Sequence, residues 1–470
     1  MSNIPPALAP IYPYGRPAEP ISLHEGSISV GGRFVEGRIE FRLAPRPEVT
    51  WAVEPGHRVP EGQLELGIEH AAGPARLVGQ SNRRGLNCAM GWVDVAEVGS
   101  ADAELDRVLV HWLNLPALAS ATGDLIELPD GTEFPGRWSA ELGGWTATVD
   151  RRHDHREVWK LLRAEGAIAI THVMEIRRTN GGPFAPAEVE PVLDALHLGM
   201  SFALGRWVAP ALPVGLDSED RPVWEQWGAR HCTAGAPGTL RWWFEQRDWE
   251  LAELLRLLVD RFVDPDQQFS LRFLLSSAVL SAGDGFVEQR IMTAFAAIEH
   301  LTWTRLVTIG RMSRTEYKDR LRAHERLSRA LAEAAIMDGV DPAALPALHE
   351  AAQRLPPDLP RTGPAIAAHV RNMIVHPTDH EEKLYRRDDG LIEQAWCISQ
   401  HYLVLLVLHH LAYTGSYRSM LSPVAGRATS SRSPGPLAAG DNITPRERRA
   451  PTSSMRDVAG RDADECLNVG

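Results

Sequence analysis

Residues 365–380 read AIAAHVRNMIVHPTDH, and the reading of this stretch decides the C-terminal third of the chain. Arg371 and Asn372 are followed by three apolar residues, Met373, Ile374 and Val375, and then by His376. On a helix, Asn372 and His376 lie four apart and share a face, with Arg371 beside them. The apolar residues then face a bundle while the three polar groups converge on one cleft. Pro377 disfavours helical dihedrals in the residue before it, so the spacing predicts a helix from Ala365 that ends at His376.

The pattern around this helix is also helical. From Trp249 onward, LAELLRLLVDRFV and the runs 268–280 and 286–309 carry apolar stripes of period near 3.6. Ser313, with Glu316 three residues on, predicts a capping box opening a helix that runs to about Met337. A last helix is expected over about Leu391 to Thr414. Beyond Ser422 the composition turns to Ser, Pro, Gly and Arg without periodicity, which reads as a disordered tail, 423–470.

Upstream, the period changes. From Ile21 to Val149 short alternating runs are split by turn signals: ISLHEGSISV, GGRFVEGRIEFRL, QLELGIEH, LNCAMGWVDVAEV, RVLVHWLNL and RWSAELGGWTATV. Strands of this length without intervening helices predict a β-sandwich or a curved antiparallel sheet. Residues 151–248 look mixed: a short helix from His155 to Ala164, a strand in AIAITHVMEIRR, and a turn at Asn180–Pro183. A helix from Pro186 to Leu204 follows, with Val189, Val192, Leu193, Leu196 and Met200 on one face, and then short strands around Trp207–Gly215 and Leu240–Phe244. The fold class expected is therefore α+β. A Pro-rich lead-in (1–20) precedes a β-rich, sandwich-like domain (21–150), a mixed segment packed on it (151–248), an all-α bundle (249–422) and the tail.

Composition narrows the functional classes. Of 470 residues, 44% are hydrophobic and 23% charged, as in ordinary soluble globular proteins. The most apolar stretch, Tyr402 to Leu411, reads as too short and too rich in His to span a bilayer, and the N-terminus lacks a secretory pattern. The expectation is a cytoplasmic protein without a membrane partner. Cys88, Cys232, Cys397 and Cys466 form no CxxC pair, so reduced thiols are expected and neither a metal nor a cofactor is. The net charge of −12 excludes a non-specific nucleic-acid coat. Lys and Arg against Asp and Glu number 25 to 38 in residues 1–266, 17 to 17 in 267–422 and 7 to 6 in 423–470. RNA contact in the helical part would need a local basic patch. Walker-type, GxGxxG, GxSxG and HExxH motifs are all missing.

The Arg371-Asn372-x3-His376 motif on a helix within a C-terminal bundle resembles the signature of the HEPN superfamily in its RN-x3-H form, over roughly residues 267–415. The longer layout is similar to the ApeA-like branch found in bacterial anti-phage defence, through VHWLNLP, ITHVMEIRR, ALHLGMSFALGRWV and TAFAAIEHLTW. The resemblance implies a metal-independent endoribonuclease of defence or toxin type, with Arg371, Asn372 and His376 as catalytic residues. It also implies a homodimer through the helical domain, with two motifs meeting across the interface. His376 would move protons near neutrality. Arg371 would clamp the phosphate, and Asn372 would orient the phosphate or the imidazole. In this reading the acidic N-terminal region senses a phage-derived or small-molecule trigger. The alternative is a non-catalytic protein whose helical domain binds a nucleotide or a partner and whose β-rich part recognises a ligand such as a glycan.

Weaker signals have simpler accounts. Glu299, before His300 in AAIEHLTW, is either a bundle salt bridge or an aid to placing Arg371. The Arg151–Arg156 cluster is a poor metal signature and reads better as an N-cap at Asp154 with basic neighbours. Arg83-Arg84 fits a polar turn. The tryptophans 207, 224, 227, 242, 243 and 249 are expected in the core.

Overall fold

The computed structural model describes residues 4–54, 59, 61–81, 89–118, 124–234, 241–245, 247–310, 312–376, 390–421 and 430–432. Gly-Gly pairs open the β-rich part. Val30 pairs with Arg33 across Gly31-Gly32, and Leu142 with Trp145 across Gly143-Gly144. All four glycines have positive φ, as a two-residue hairpin turn of this twist requires. The first pair joins β1 (Ile21–Val30) to β2 (Arg33–Arg42), followed by β3 (Glu48–Val53), β4 (Gly62–Ile68), β5 (Ala75–Ser81) and β6 (Ala89–Gly99).

These strands pair in the order β3-β2-β1-β4-β5-β6, and β3 pairs back onto β6. The ring is a closed six-stranded antiparallel barrel, which leaves no exposed strand edge around its circumference. Ile28, Ile39, Phe41, Trp51, Leu66 and Leu77 fill its interior. β6 is long enough to serve twice. Residues 89–92 close the barrel against β3, and residues 96–99 pair with a strand of the following sheet.

That sheet holds β7 (Arg107–Leu113), β8 (Asp124–Glu127), β9 (Glu133–Leu142), β10 (Trp145–Arg151), β11 (Ile170–Arg178), β12 (Ala209–Leu216) and β13 (Pro222–Trp227), in the order β13-β12-β7-β11-β10-β9-β8. Its central strands β7 and β12 are buried on both faces. Val108, Val110 and Trp112 of β7 join the core shared with the helices, while Leu109 and Leu113 join the core shared with the barrel. β7–β10, which composition groups with the earlier strands, thus share one sheet with β11–β13. The lead-in is tied down across the sheet. Ala7 N–H donates to Glu127 O (2.9 Å), Tyr12 N–H to His111 Nε2 (3.1 Å) and Ala18 N–H to Ile168 O (2.9 Å).

α1 (His155–Glu165) and α2 (Pro186–Leu204) interrupt the sheet. α2 begins with proline and stops at Gly205, left-handed at φ 63°. It is apolar nearly all round because β12 lies on one side and α3 (Asp248–Phe262) and α4 (Pro265–Ala282) on the other. The bundle continues with α5 (Val287–Trp303), α6 (Ala323–Glu333), α7 (Pro346–Gln353), α8 (Gly363–Val375) and α9 (Leu391–His410). α9 is long and apolar enough to cross a bilayer, but 72% of its most apolar window is buried inside the protein, as in a core helix. The architecture is α+β, strands first and helices last.

Two local expectations change. The segment 241–244 is not a strand. Trp242 is instead buried against Phe202 and Tyr413, and the short strand lies earlier, at β13. The helix expected over 313–337 starts as foreseen, with Ser313 Oγ accepting from Glu316 N–H (3.1 Å), but Leu321 turns extended (φ −113°) and α6 starts afresh at Ala323. The tail beyond Ser422 lies outside the described residues, apart from 430–432, which pair with residues 416–418.

α8 sits unusually close to α9. Gly363 N–H donates to Asp338 O (2.6 Å), and a Cβ at Gly363 would run into the Tyr402 hydroxyl and reach Ile398 Cδ1 at 2.8 Å. Tyr402 is 1% exposed and cannot swing into solvent without opening the bundle. Gly363→Ala is expected to destabilise the protein by about 1–3 kcal/mol through overpacking. Gly339→Ala, where a Cβ meets open space, should leave thermal melting unchanged.

Candidate functional site

α8 enters the bundle with its first turns buried and emerges at its last. Ala365–Ala368 and Val370 are core residues, Met373 and Ile374 pack on the core's edge, and Asn372 and His376 are exposed. His376 occupies the C-cap, with φ −118° and ψ 82°, and its N–H donates to Asn372 O (2.8 Å). The residue before Pro377 has left the helical region, as the proline requires. Asn372 and His376 therefore both stand exposed at the final turn, where the helix's last carbonyls also lie.

Arg371 is set back from the surface at 22% exposure. Its Nη2 donates to Glu299 Oε1 of α5 (3.2 Å) and its Nη1 to Asn372 Oδ1 (3.0 Å). Its Nε is buried and has no hydrogen-bond partner among the described residues. Glu299 is therefore both a bundle salt bridge and the group that fixes the guanidinium. The α5 backbone at this point is itself held. Thr302 and Tyr317 hydroxyls both reach Glu299 O (3.0 and 3.3 Å) and contact each other at 2.8 Å. Burial raises the Tyr317 phenol above its ordinary pKa, which keeps it a neutral hydrogen-bonding group. This Thr302–Tyr317 support was not foreseen, because nothing local links residues 15 apart across a broken helix.

Chemically, the arrangement offers a planar cation of fixed orientation, an amide and an exposed imidazole along one helix end. Arg371 can receive an anionic oxygen in place of, or beside, Glu299. His376 presents its imidazole to solvent at the helix end.

The other candidates resolve into structural roles. His300 contacts Ser270 Oγ (2.8 Å) and packs edge-on against Phe273. Arg152 is buried and forks onto Asp154 (2.5 and 2.9 Å), so Asp154 occupies the N-cap position of α1 while its carboxylate serves the arginine. No group of His, Cys, Asp and Glu suited to a metal occurs among the described residues. Cys232 is buried, and burial pushes its thiol up to about 12. Trp207, Trp224, Trp227, Trp242 and Trp243 are core residues, whereas Trp249 is 63% exposed. Arg83-Arg84 lie outside the described residues.

Residues 100–236 match the family model of the YopA central domain, and residues 268–431 that of the YopA C-terminal domain. Both stretches are thus similar to YopA domains. The central match coincides with the seven-stranded sheet and α1–α2. The C-terminal match spans α4–α9 and contains Arg371, Asn372 and His376, while the barrel precedes both. The SPbeta prophage-derived uncharacterized protein YopA of Bacillus subtilis (strain 168) is 27% identical over 293 residues. That similarity covers 62% of this chain and 64% of the length of the relative. No solved structure matches the chain. The likeness to HEPN proteins rests on the Arg-Asn-x3-His motif and the helical layout, and the matched family models are those of YopA.

Proposed function

We propose that the chain is a metal-independent endoribonuclease whose site is built from Arg371, Asn372 and His376. The observation that carries this reading is the exposed His376 imidazole on the same helix end as an arginine held in place by Glu299. In the reaction, the ribose 2′-oxygen attacks the adjacent phosphorus. The P–O2′ bond forms, the P–O5′ bond breaks, and the products are a 2′,3′-cyclic phosphate and a 5′-hydroxyl. A base removes the 2′-hydroxyl proton and an acid protonates the departing 5′-oxygen. Arg371 stabilises the charge that builds on the phosphate oxygens. A single imidazole in each chain's motif suits a homodimer in which a second His376 supplies the complementary proton transfer. The barrel and sheet, acidic in composition, would hold the nuclease in check until a trigger binds. The prophage origin in the relative's name fits a self-limiting RNase used in conflict between phages.

The Arg371–Glu299 pair also favours a second reading, in which the helix end is structural and the domain binds a nucleotide or a partner without cleaving it. Incubation of total cellular RNA with the purified protein in excess EDTA separates the two, with and without lysate from phage-infected cells as trigger. Fragments with 2′,3′-cyclic ends, and no cleavage of DNA of the same sequence, are expected. Intact RNA under both conditions would leave the binding reading.

A further inference from the structure

The outer wall of the barrel carries a groove of about 340 Å³ that the nuclease reading does not use. Its shape follows from the strand register. Outward positions of β2 carry long charged side chains (Arg38, Glu40, Arg42), those of β3 carry the small Thr50 and Ala52, and those of β6 carry Met90 and Trp92. Glu40 pairs with Thr50 and Thr50 with Trp92, while Arg38 pairs with Ala52 and Ala52 with Met90. A strand of small residues between two strands of large ones leaves a trough along β3. One wall of the trough is aromatic and apolar, and the other is lined with hydrogen-bonding groups.

The aromatic wall is both exposed and fixed. Trp92 is 42% and Met90 41% exposed, so the trough lies open to solvent. Trp92 Nε1 donates to Asp94 Oδ1 (3.0 Å), and Gln80 Nε2 donates to Asp94 Oδ2 (3.0 Å). The indole is thus held by its edge with its ring presented to the trough. Trp92 and Met90 form an adjoining exposed apolar wall, and the indole is pinned by one hydrogen bond whose acceptor, Asp94, is itself held by Gln80, so the ring is preorganised as a recognition surface.

The polar wall selects the ligand's charge. Two arginines face two glutamates, and the carboxylates already have partners: Glu40 lies 3.3 Å from Arg38, and Glu48 lies 3.5 Å from Arg46. Such a wall offers donors and acceptors in alternation without a net field, in a part of the chain whose balance is acidic. An anionic backbone gains little there. A neutral ligand with one flat apolar face and many hydroxyls gains on both walls. The trough runs along residues 48–52 of β3, roughly 13 Å, enough for about two or three sugar rings. We infer that this barrel face binds a neutral oligosaccharide, with a ring stacked on Trp92 and its hydroxyls bonded to the Arg38–Glu40–Arg42 wall.

The full-length protein should be titrated calorimetrically with chitohexaose, maltohexaose and cellohexaose, and with hexauridylate as the anionic contrast. At least one of the three sugars is expected to bind with a micromolar to low-millimolar constant. Trp92→Ala should weaken it about tenfold or more, the loss of one aromatic platform. Thr50→Trp, which fills the trough floor while keeping the Trp92 platform, should abolish it. Phe34→Ala, at another exposed apolar site of the barrel, should not change it. Thermal melting of each variant separates lost binding from lost folding. Failure of all three sugars to bind at millimolar concentration overturns the inference. So does sugar binding that survives both Trp92→Ala and Thr50→Trp in folded protein. Hexauridylate binding that the same two variants remove would reassign the groove to single-stranded nucleic acid. RNA cleavage is not the readout in any arm, so the outcome is independent of the nuclease proposal.

Discussion

His376→Ala is expected to lower RNA cleavage by about 10²- to 10⁴-fold, the range for loss of a positioned acid–base group. Stability should hardly change, because His376 is exposed at the end of α8, and surface substitutions of this kind cost under about 1 kcal/mol. The neighbouring positions give a graded control. Arg371→Lys keeps the charge but loses the planar fork that meets Glu299 and, in the proposed reaction, a phosphate, so cleavage should fall nearly as far as with alanine. Glu299→Gln keeps the shape and removes the charge that holds the guanidinium. If Glu299 acts by positioning, activity should drop partway while melting stays close to wild type. The measurement is the initial rate of cleavage of a defined RNA in EDTA, beside the melting temperature of each variant. A His376→Ala protein that cleaves at the wild-type rate would remove the imidazole from the reaction. A Glu299→Gln protein that loses stability and activity in proportion would reduce the pair to a bundle salt bridge.

The placement of these residues at the end of one helix was legible in the sequence because its signal is local. Arg371, Asn372 and His376 fall within one helical turn and a half, and Pro377 marks the stop. The same holds for the hairpins at Gly31-Gly32 and Gly143-Gly144, and for α2 between Pro186 and Gly205, where the chain's special dihedrals are written in residue types. Barrel closure was not readable. It depends on Thr50 meeting Trp92, and no local pattern states which strand a half-buried strand will pair with. Trp242-Trp243 suggested a strand because bulky aromatics favour strands in general. Here the bundle takes Trp242 as a core side chain between Phe202 and Tyr413. The break at Leu321 is a tertiary override of the same kind. Residues 316–329 are good helix formers without Gly or Pro, yet the backbone turns extended at Leu321, whose side chain is buried. For Glu299, the 3.2 Å contact to Arg371 shows the ion pair, which no local pattern could state, and its effect on catalysis is what Glu299→Gln reads.

The largest expected effect on stability is acid lability, and it comes from histidines that the fold keeps neutral. Burial holds His111, His155, His197 and His410 down to about 4, His401 to about 3, and His172 well below its ordinary value. In the unfolded chain each titrates near 6.5. Above that pH neither state is protonated and these groups add no pH dependence. As pH falls from 6.5 toward 4, the unfolded chain binds protons that the folded one refuses, so stability drops. Below about 4 most of the folded sites protonate as well, and the slope flattens. A single histidine lowered from 6.5 to about 4 accounts for roughly 3 kcal/mol over that window, and several act together. His111 is the sharpest case. It is fully buried, its Nε2 accepts from Tyr12 N–H (3.1 Å), and its Nδ1–H donates to Leu212 O (3.1 Å). Protonating Nε2 would turn that acceptor into a second donor facing Tyr12 N–H, and the lead-in would lose its hold on the sheet. The melting temperature, followed from pH 8 to pH 4, should be level to about 6.5 and then fall steeply. His111→Gln can still both donate and accept, so it should lower stability at neutral pH but soften the acid slope by about one proton. A melting temperature that stays level from pH 7 down to pH 5 would mean that these imidazoles accept protons inside the fold, and that the core around Tyr12 and Leu212 is wetter than its packing states.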